Sequence, residues 1–306
     1  MIQLNVTDEV SPLEAVVLGI ANSFGGTPSL NAVYDPKSKQ HIQAGTFPSE
    51  ELVRSEMKEF YSVLKKYQIE VYRPTEISGL NQIFARDIGM VIGDQFIIPN
   101  ILVNRAKELE GVAYLVDQVK SANRIYAPEE VRIEGGDIIP WKGHLFAGYS
   151  KKEDFEQYTV ARTNEAGIEF LIEHFPDWEV HAFELNKSDD DPMINALHLD
   201  CCFQPLGLGK AIIHRGGFKN QQDYEYLLNF FGEENCFLIS SQEMYEMNSN
   251  VFSISPEVVV SDKSFTRLNK WLTAQGFTVE DVNYREIAKM EGLFRCSTLP
   301  LRRKGS

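Results

Sequence analysis

The sequence predicts an α/β protein arranged as a ring of small sheets, with helices outside and loops meeting at the centre. One order of elements recurs: a β-rich pair, an amphipathic helix, then a single apolar strand. The order runs through five rounds, and turn residues sit inside several of the pairs. The pairs are expected at residues 14–23, 90–100, 137–150, 200–214 and 250–262, with Gly93-Asp94 and Gly207-Leu208-Gly209 as turn signals. Helices are expected at 48–67, 102–122, 151–174, 220–231 and 263–275. In the first, Leu52, Val53, Met57, Phe60, Tyr61 and Leu64 form one apolar stripe, and Ser49 ahead of Glu50-Glu51 is an N-cap. Closing strands are expected at 69–72, 124–126, 180–183, 236–239 and 277–282. Unit spacing is irregular, so the repetition is structural rather than one of sequence. A three-layer α/β sheet fits the same periodicity. No Pro/Ser-rich or low-complexity linker divides the chain, which predicts one domain over residues 1–306.

Composition narrows the class. The 306 residues are 43% hydrophobic and 24% charged, the balance of a core-forming soluble protein. No apolar run approaches the roughly 18 residues of a membrane span. The start, Met1 to Glu9, lacks the basic and apolar regions of a secretory signal, so a cytoplasmic protein is expected. A net charge of −14 argues against nucleic acid as partner and suits a cationic small molecule. A homo-oligomer is compatible with the sequence. Cys201, Cys202, Cys236 and Cys296 are too sparse for a disulfide framework and are expected to be reduced.

Five motifs carry chemistry. Cys296 follows Gly292 and Arg295 and precedes Ser297-Thr298, an unusual setting for a packing thiol. His198-Leu199-Asp200 opens a strand-like run, which would place His198 and Asp200 on one face. The adjacent Cys201 and Cys202 lack Cys-x-x-Cys spacing, so no zinc site is expected there. Glu134-Gly135-Gly136-Asp137 reads either as a hairpin turn with solvated acids or as backbone that must approach a ligand closely. Arg86-Asp87 leads into an apolar strand, as a local ion pair or a ligand contact. Arg162 is either a surface ion pair or a bidentate partner for a substrate carboxylate. Acids, one Cys, one His and one Arg together suit a guanidinium, whose planar N–H groups match carboxylates and whose carbon a thiolate can attack.

These motifs, in this order, resemble the pentein superfamily of guanidino-group-modifying enzymes: arginine deiminases, dimethylarginine dimethylaminohydrolases and amidinotransferases. The residues that carry the resemblance are Arg86-Asp87, Glu134-Gly135-Gly136-Asp137, His198-Leu199-Asp200 and Cys296. The resemblance implies a five-bladed pseudo-symmetric α/β propeller and no cofactor or metal. It implies Cys296 as nucleophile, His198 as acid and then base, and Glu134 orienting His198. Asp87 and Asp200 would bind the guanidinium, and Arg162 the substrate carboxylate. Arg162-Thr163-Asn164 looks like the hydrolase branch. Asp200 looks like the deiminase and amidinotransferase branches, and Ala85-Arg86-Asp87 and Arg302-Arg303 echo amidinotransferases. The expected activity is a cysteine-dependent hydrolase of arginine or a related guanidino or ureido compound, with amidino transfer to an amine as the alternative. A non-catalytic binding protein on the same fold is a third reading.

Overall fold

In a computed structural model describing residues 1–305, the strands form five three-stranded sheets. Four sheets follow chain order. They are β3 (Met90–Ile92), β4 (Gln95–Ile98) and β5 (Arg124–Tyr126); β6 (Ile138–Trp141), β7 (His144–Tyr149) and β8 (Glu179–Glu184); β9 (Phe203–Pro205), β10 (Ala211–Ile213) and β11 (Cys236–Leu238); and β12 (Phe252–Ser255), β13 (Val258–Asp262) and β14 (Thr278–Val282). In each, an antiparallel hairpin is joined by a parallel third strand that returns through helix. That repeated topology is the one expected of the five-bladed α/β propeller.

The remaining sheet departs from the expectation. β1 (Leu13–Leu18) has no local hairpin partner over residues 14–23; its antiparallel neighbour is β15 (Thr298–Arg303), and β2 (Glu70–Tyr72) lies parallel on its other side. The pairing Leu18↔Thr298 closes the ring with the chain's end. It also puts Cys296 two residues before a strand locked into the first unit. A closure spanning the whole chain has no periodic signal in sequence.

Helix Glu50–Lys66 starts where Ser49 Oγ accepts from Leu52 N and buries Val53, Met57, Phe60 and Leu64. Leu52, counted in the apolar stripe, is exposed instead. Phe60 meets Phe252, Tyr284 and Phe294 edge-on at 6.0, 5.7 and 5.1 Å, which pins the segment entering the Cys296 turn. Two expected helices are broken. Residues 102–122 form a 3-10 stretch, Val103–Val112, and a short helix, Ala113–Gln118, because Arg105 and Glu108 turn into the interior. Residues 151–174 form helices Lys152–Gln157 and Glu165–His174, the second capped by Asn164, whose Oδ1 accepts from Gly167 N at 2.9 Å. The link between them carries Arg162 inward. Among the described residues no helix is long and apolar enough to cross a membrane.

Candidate active site

Cys296 sits in a turn held from both sides by backbone: Arg86 N donates to Cys296 O at 3.0 Å, and Gly19 N donates to Ser297 O at 2.9 Å. The turn begins at Glu291, which carries a left-handed φ of 59°, a conformation glycine adopts more readily. Gly292 is required for space instead, since a Cβ there would meet the Phe84 ring at 2.3 Å. Asn250 fixes the cysteine twice: its Nδ2 donates to Sγ at 3.1 Å, and its Oδ1 accepts from Cys296 N at 3.0 Å. Behind the thiol lies Asp200, with Oδ2 3.7 Å from Sγ.

His198 and Asp200 are not on a strand. His198 is the extended residue before a 3-10 turn, Leu199–Cys201, and β9 begins only at Phe203. The reason is Asp137: its Oδ1 accepts from Leu199 N at 2.9 Å and its Oδ2 from Thr163 Oγ1 at 2.6 Å, drawing three segments together. Glu134-Gly135-Gly136-Asp137 also turns in a 3-10 manner, and its acids are buried rather than solvated. Neither glycine needs positive φ. A Cβ on Gly135 would stand 2.1 Å from Arg86 O, and one on Gly136 would stand 2.6 Å from the His198 ring and 3.0 Å from Asp87 Oδ1. The glycine pair is therefore what lets the Arg86-Asp87 segment and His198 converge.

A cavity of about 390 Å³ opens over this convergence, and Asp87, His198, Arg162 and Cys296 all line it. His198 Nε2 bonds Glu134 Oε2 at 2.9 Å, and Arg162 Nη1 donates to the same oxygen at 3.2 Å. His198 Nδ1 is buried without a hydrogen-bond partner among the described residues, 3.8 Å from Asp87 Oδ1. Asp87 Oδ1 accepts from Gly136 N at 3.1 Å, and Oδ2 accepts from Arg105 Nη1 at 2.6 Å. Glu134 lies just behind His198, fully buried. Asp200 does not border the cavity: it is fully buried, with Arg295 Nη1 donating to Oδ2 at 2.8 Å. Arg86 likewise faces the interior, toward Glu9 at 3.4 Å.

The electrostatics sort these groups into distinct states. Burial would depress His198, but Asp87, Asp137 and Glu134 outweigh it and lift the imidazole to about 9, so it carries a proton at neutral pH. Burial would raise the Glu134 carboxyl, yet Arg162, then His198 and Arg105, hold it well below its ordinary range. Burial, then Asp200 and Asp87, push the Cys296 thiol well above its usual value. The free site thus pairs a neutral thiol with an imidazolium–carboxylate couple. Ligand atoms of Asp87, Glu134 and His198 lie within 4.8 Å of one another, a spacing a metal ion could bridge. The arginine contacts to Asp87 and Glu134 already match that charge.

Several site groups carried no sequence signal. Asn250 belongs to no motif. Arg105 and Glu108, bonded twice at 2.9 Å, belong to no motif either. Glu291 and Asp35 form an acidic patch in the cavity wall, and burial with Asp35 nearby pushes the Glu291 carboxyl up to about 8. Only Gly135, crowded by Arg86, and Gly136, crowded by His198 and Asp87, could have hinted at the convergence, and only once those neighbours were known.

Residues 35–303 match the family described as N,N dimethylarginine dimethylhydrolase, eukaryotic. The L-arginine:L-lysine amidinotransferase of Pseudomonas savastanoi pv. phaseolicola is 23% identical, over 96% of this chain and 92% of that relative. SxtG, an amidinotransferase of the saxitoxin biosynthetic pathway from Microseira wollei, superposes with a TM-score of 0.77 at 20% identity, covering 99% of this chain and 98% of that one. The N-terminal domain of ArgZ, an arginine dihydrolase of the cyanobacterial ornithine-ammonia cycle, superposes at 0.78 with 18% identity, over 94% and 97% of the two chains. The superpositions show the five-bladed pentein fold.

Proposed function

The chain belongs to the N,N dimethylarginine dimethylhydrolase family within the pentein superfamily, and on that premise we propose that it hydrolyses the guanidino group of arginine or a related guanidino or ureido compound through Cys296. The observation that carries the proposal is one cavity lined by the Cys296 thiol, the Asp87 carboxylate and a His198 imidazole whose Nδ1 has no hydrogen-bond partner among the described residues.

In this reading Asp87 meets the guanidinium from the cavity wall. Asp200 sits behind the thiol and shares its charge with Arg295, so its contribution is to the field at Sγ. The bound cation offsets these carboxylates, and the thiol loses its proton to solvent. The Cys296 thiolate then attacks the guanidino carbon. As the bond to the departing nitrogen breaks, His198 donates its proton from Nδ1, since Nε2 is engaged by Glu134. The neutral imidazole next takes a proton from water. The resulting hydroxide attacks the amidino-cysteine carbon and expels the thiolate, leaving an ureido product and the free amine. With arginine the balance is water in, citrulline and ammonia out. Arg162, whose Nη2 is buried without a partner among the described residues, would take the substrate carboxylate.

Transfer to an amine is the second reading, favoured by the L-arginine:L-lysine amidinotransferase that aligns with 96% of this chain. Both rest on the same covalent step. Arginine and N-methylated arginines, incubated with and without glycine or lysine, separate them: citrulline and free amine mark hydrolysis, whereas ornithine and a new guanidino compound mark transfer. Turnover that survives Cys296→Ser would remove both readings; no turnover in the wild type, with ligand binding that survives Cys296→Ser, would return the chain to a binding role.

A further inference from the structure

We infer that His144, Glu179 and His181 form a site for one divalent transition-metal ion of the zinc type, apart from the catalytic cavity. The sequence calls for no metal here, and the strand register is what creates the site. β7 and β8 run parallel, with His144 opposite Glu179 and Phe146 opposite His181. Side chains two residues apart share a face, so both imidazoles and the carboxylate rise from the same side of the sheet.

One ligand atom from each residue lies within 4.8 Å of the other two, and both Glu179 oxygens face the imidazoles. His144 Nδ1 is 3.0 Å from His181 Nε2 and 3.2 Å from Glu179 Oε2, and His181 Nε2 is 3.7 Å from Glu179 Oε1. Ligands of a tetrahedral zinc, at bonds of about 2.0–2.1 Å, stand about 3.4 Å apart. Hydrogen bonding accounts for this arrangement less well. Neutral rings place one proton between the two facing nitrogens, and an ionised Glu179 adds none, so one contact is left as acceptor against acceptor. A cation satisfies all three at once.

The rings are also held in place. His144 packs edge-on against Phe230 at 5.1 Å, and His181 lies 5.4 Å from Phe146 and 5.0 Å from Tyr226. The Tyr226 hydroxyl, 3.3 Å from His181 Nε2, competes for the same lone pair and would turn away when an ion binds. Phe230 and Tyr226 belong to helix Gln221–Phe231 of the following unit, which therefore packs over both rings. Two imidazoles and one carboxylate select zinc, cobalt or nickel over magnesium or calcium. Glu179, with its side chain 67% exposed, leaves the ion open to exchange with solution.

Titration of the full chain with Co²⁺, read by its visible d–d absorption, tests the site. One saturable equivalent is expected, without a thiolate charge-transfer band, and Cys296→Ser should retain it. The double variant His144→Asn with His181→Asn should bind at least about 100-fold more weakly, and Glu179→Gln at least about 10-fold more weakly. Because Glu179 is exposed, its variant keeps the test decisive should the double variant misfold. Absence of saturable binding overturns the site. So does a stoichiometry indifferent to these substitutions, or a signal that disappears with Cys296→Ser.

Discussion

Arg295 and Asp200 meet at 2.8 Å with both side chains fully buried, and Asp200 Oδ2 stands 3.7 Å from the thiol of the very next residue, Cys296. The pair belongs to a wider interior network, because Arg295 Nη2 also donates to Glu9 Oε1 at 3.0 Å while Arg86 donates to the same oxygen. The charge behind the cysteine is therefore set by partners contributed from residues 9, 86, 200 and 295. Positioning of the thiol and stability of the fold are linked through one buried cluster.

That link has a pH signature at Glu9. Burial would raise its carboxyl, but Arg295, Arg86 and Arg303 bring it down from 4.5 to about 2. A folded-state value below the unfolded one stabilises the fold at pH above 4.5, and the contribution is lost as pH falls toward 2. It amounts to about 3 kcal/mol. Glu9→Gln should lose about 3–5 kcal/mol near neutral pH, since two guanidiniums lose a buried partner. Denaturant unfolding at pH 6 and pH 3 should show the gap between wild type and variant narrowing at the lower pH; a constant gap would contradict the assignment.

The His198–Glu134 couple predicts the alkaline limb of catalysis. If His198 enters the cycle as an acid at about 9, kcat/KM should fall as pH rises through that value. Glu134→Gln removes one of the charges holding the proton, so the limb should move to lower pH. Turnover at neutral pH should fall by about 10²–10⁴-fold. An unmoved alkaline limb would mean that another group controls it.

Cys296 is expected to ionise in response to its substrate. The free thiol lies well above its ordinary value because of burial and the charges of Asp200 and Asp87. A guanidinium ligand brings a positive charge to the same cavity and should lower the apparent pKa. Ultraviolet thiolate titration with and without an unreactive guanidinium compound, taken as the difference from Cys296→Ser, measures this and removes the signal of Cys201 and Cys202. A value unchanged or raised by the ligand would refute it. Alkylation rates would mislead, since the ligand also blocks access.

Arg162 should discriminate by the presence of a carboxylate. Its guanidinium lies 5.3 Å from the Tyr34 ring centroid and holds Glu134 with Nη1, leaving Nη2 as the donor without a partner among the described residues. Arg162→Lys should lower kcat/KM for arginine by about 10–100-fold more than for its decarboxylated analogue agmatine, the worth of a charge-assisted pair. Equal losses on both compounds would assign Arg162 to holding Glu134 alone.

The sequence by itself determined the repeated pair–helix–strand order and the chemical identity of Cys296, His198, Glu134, Asp87 and Arg162, because periodicity and residue type are local properties. The five sheets follow that order in four of the five units. What brought Cys296, His198, Asp87 and Arg162 to one cavity, with Glu134 behind His198, was tertiary structure. The closing strand Thr298–Arg303 came from the far end of the chain, and no periodicity reports a partner nearly 300 residues away. Glu134-Gly135-Gly136-Asp137 could be a turn or a close approach until His198 and Asp87 were seen against Gly136. Asp200 is expected from its motif to bind substrate, and only the fold shows it fully buried behind the Cys296 thiol and paired with Arg295. His144, Glu179 and His181 became neighbours only through the register of β7 on β8, a pairing that the spacing of residues along the chain does not encode.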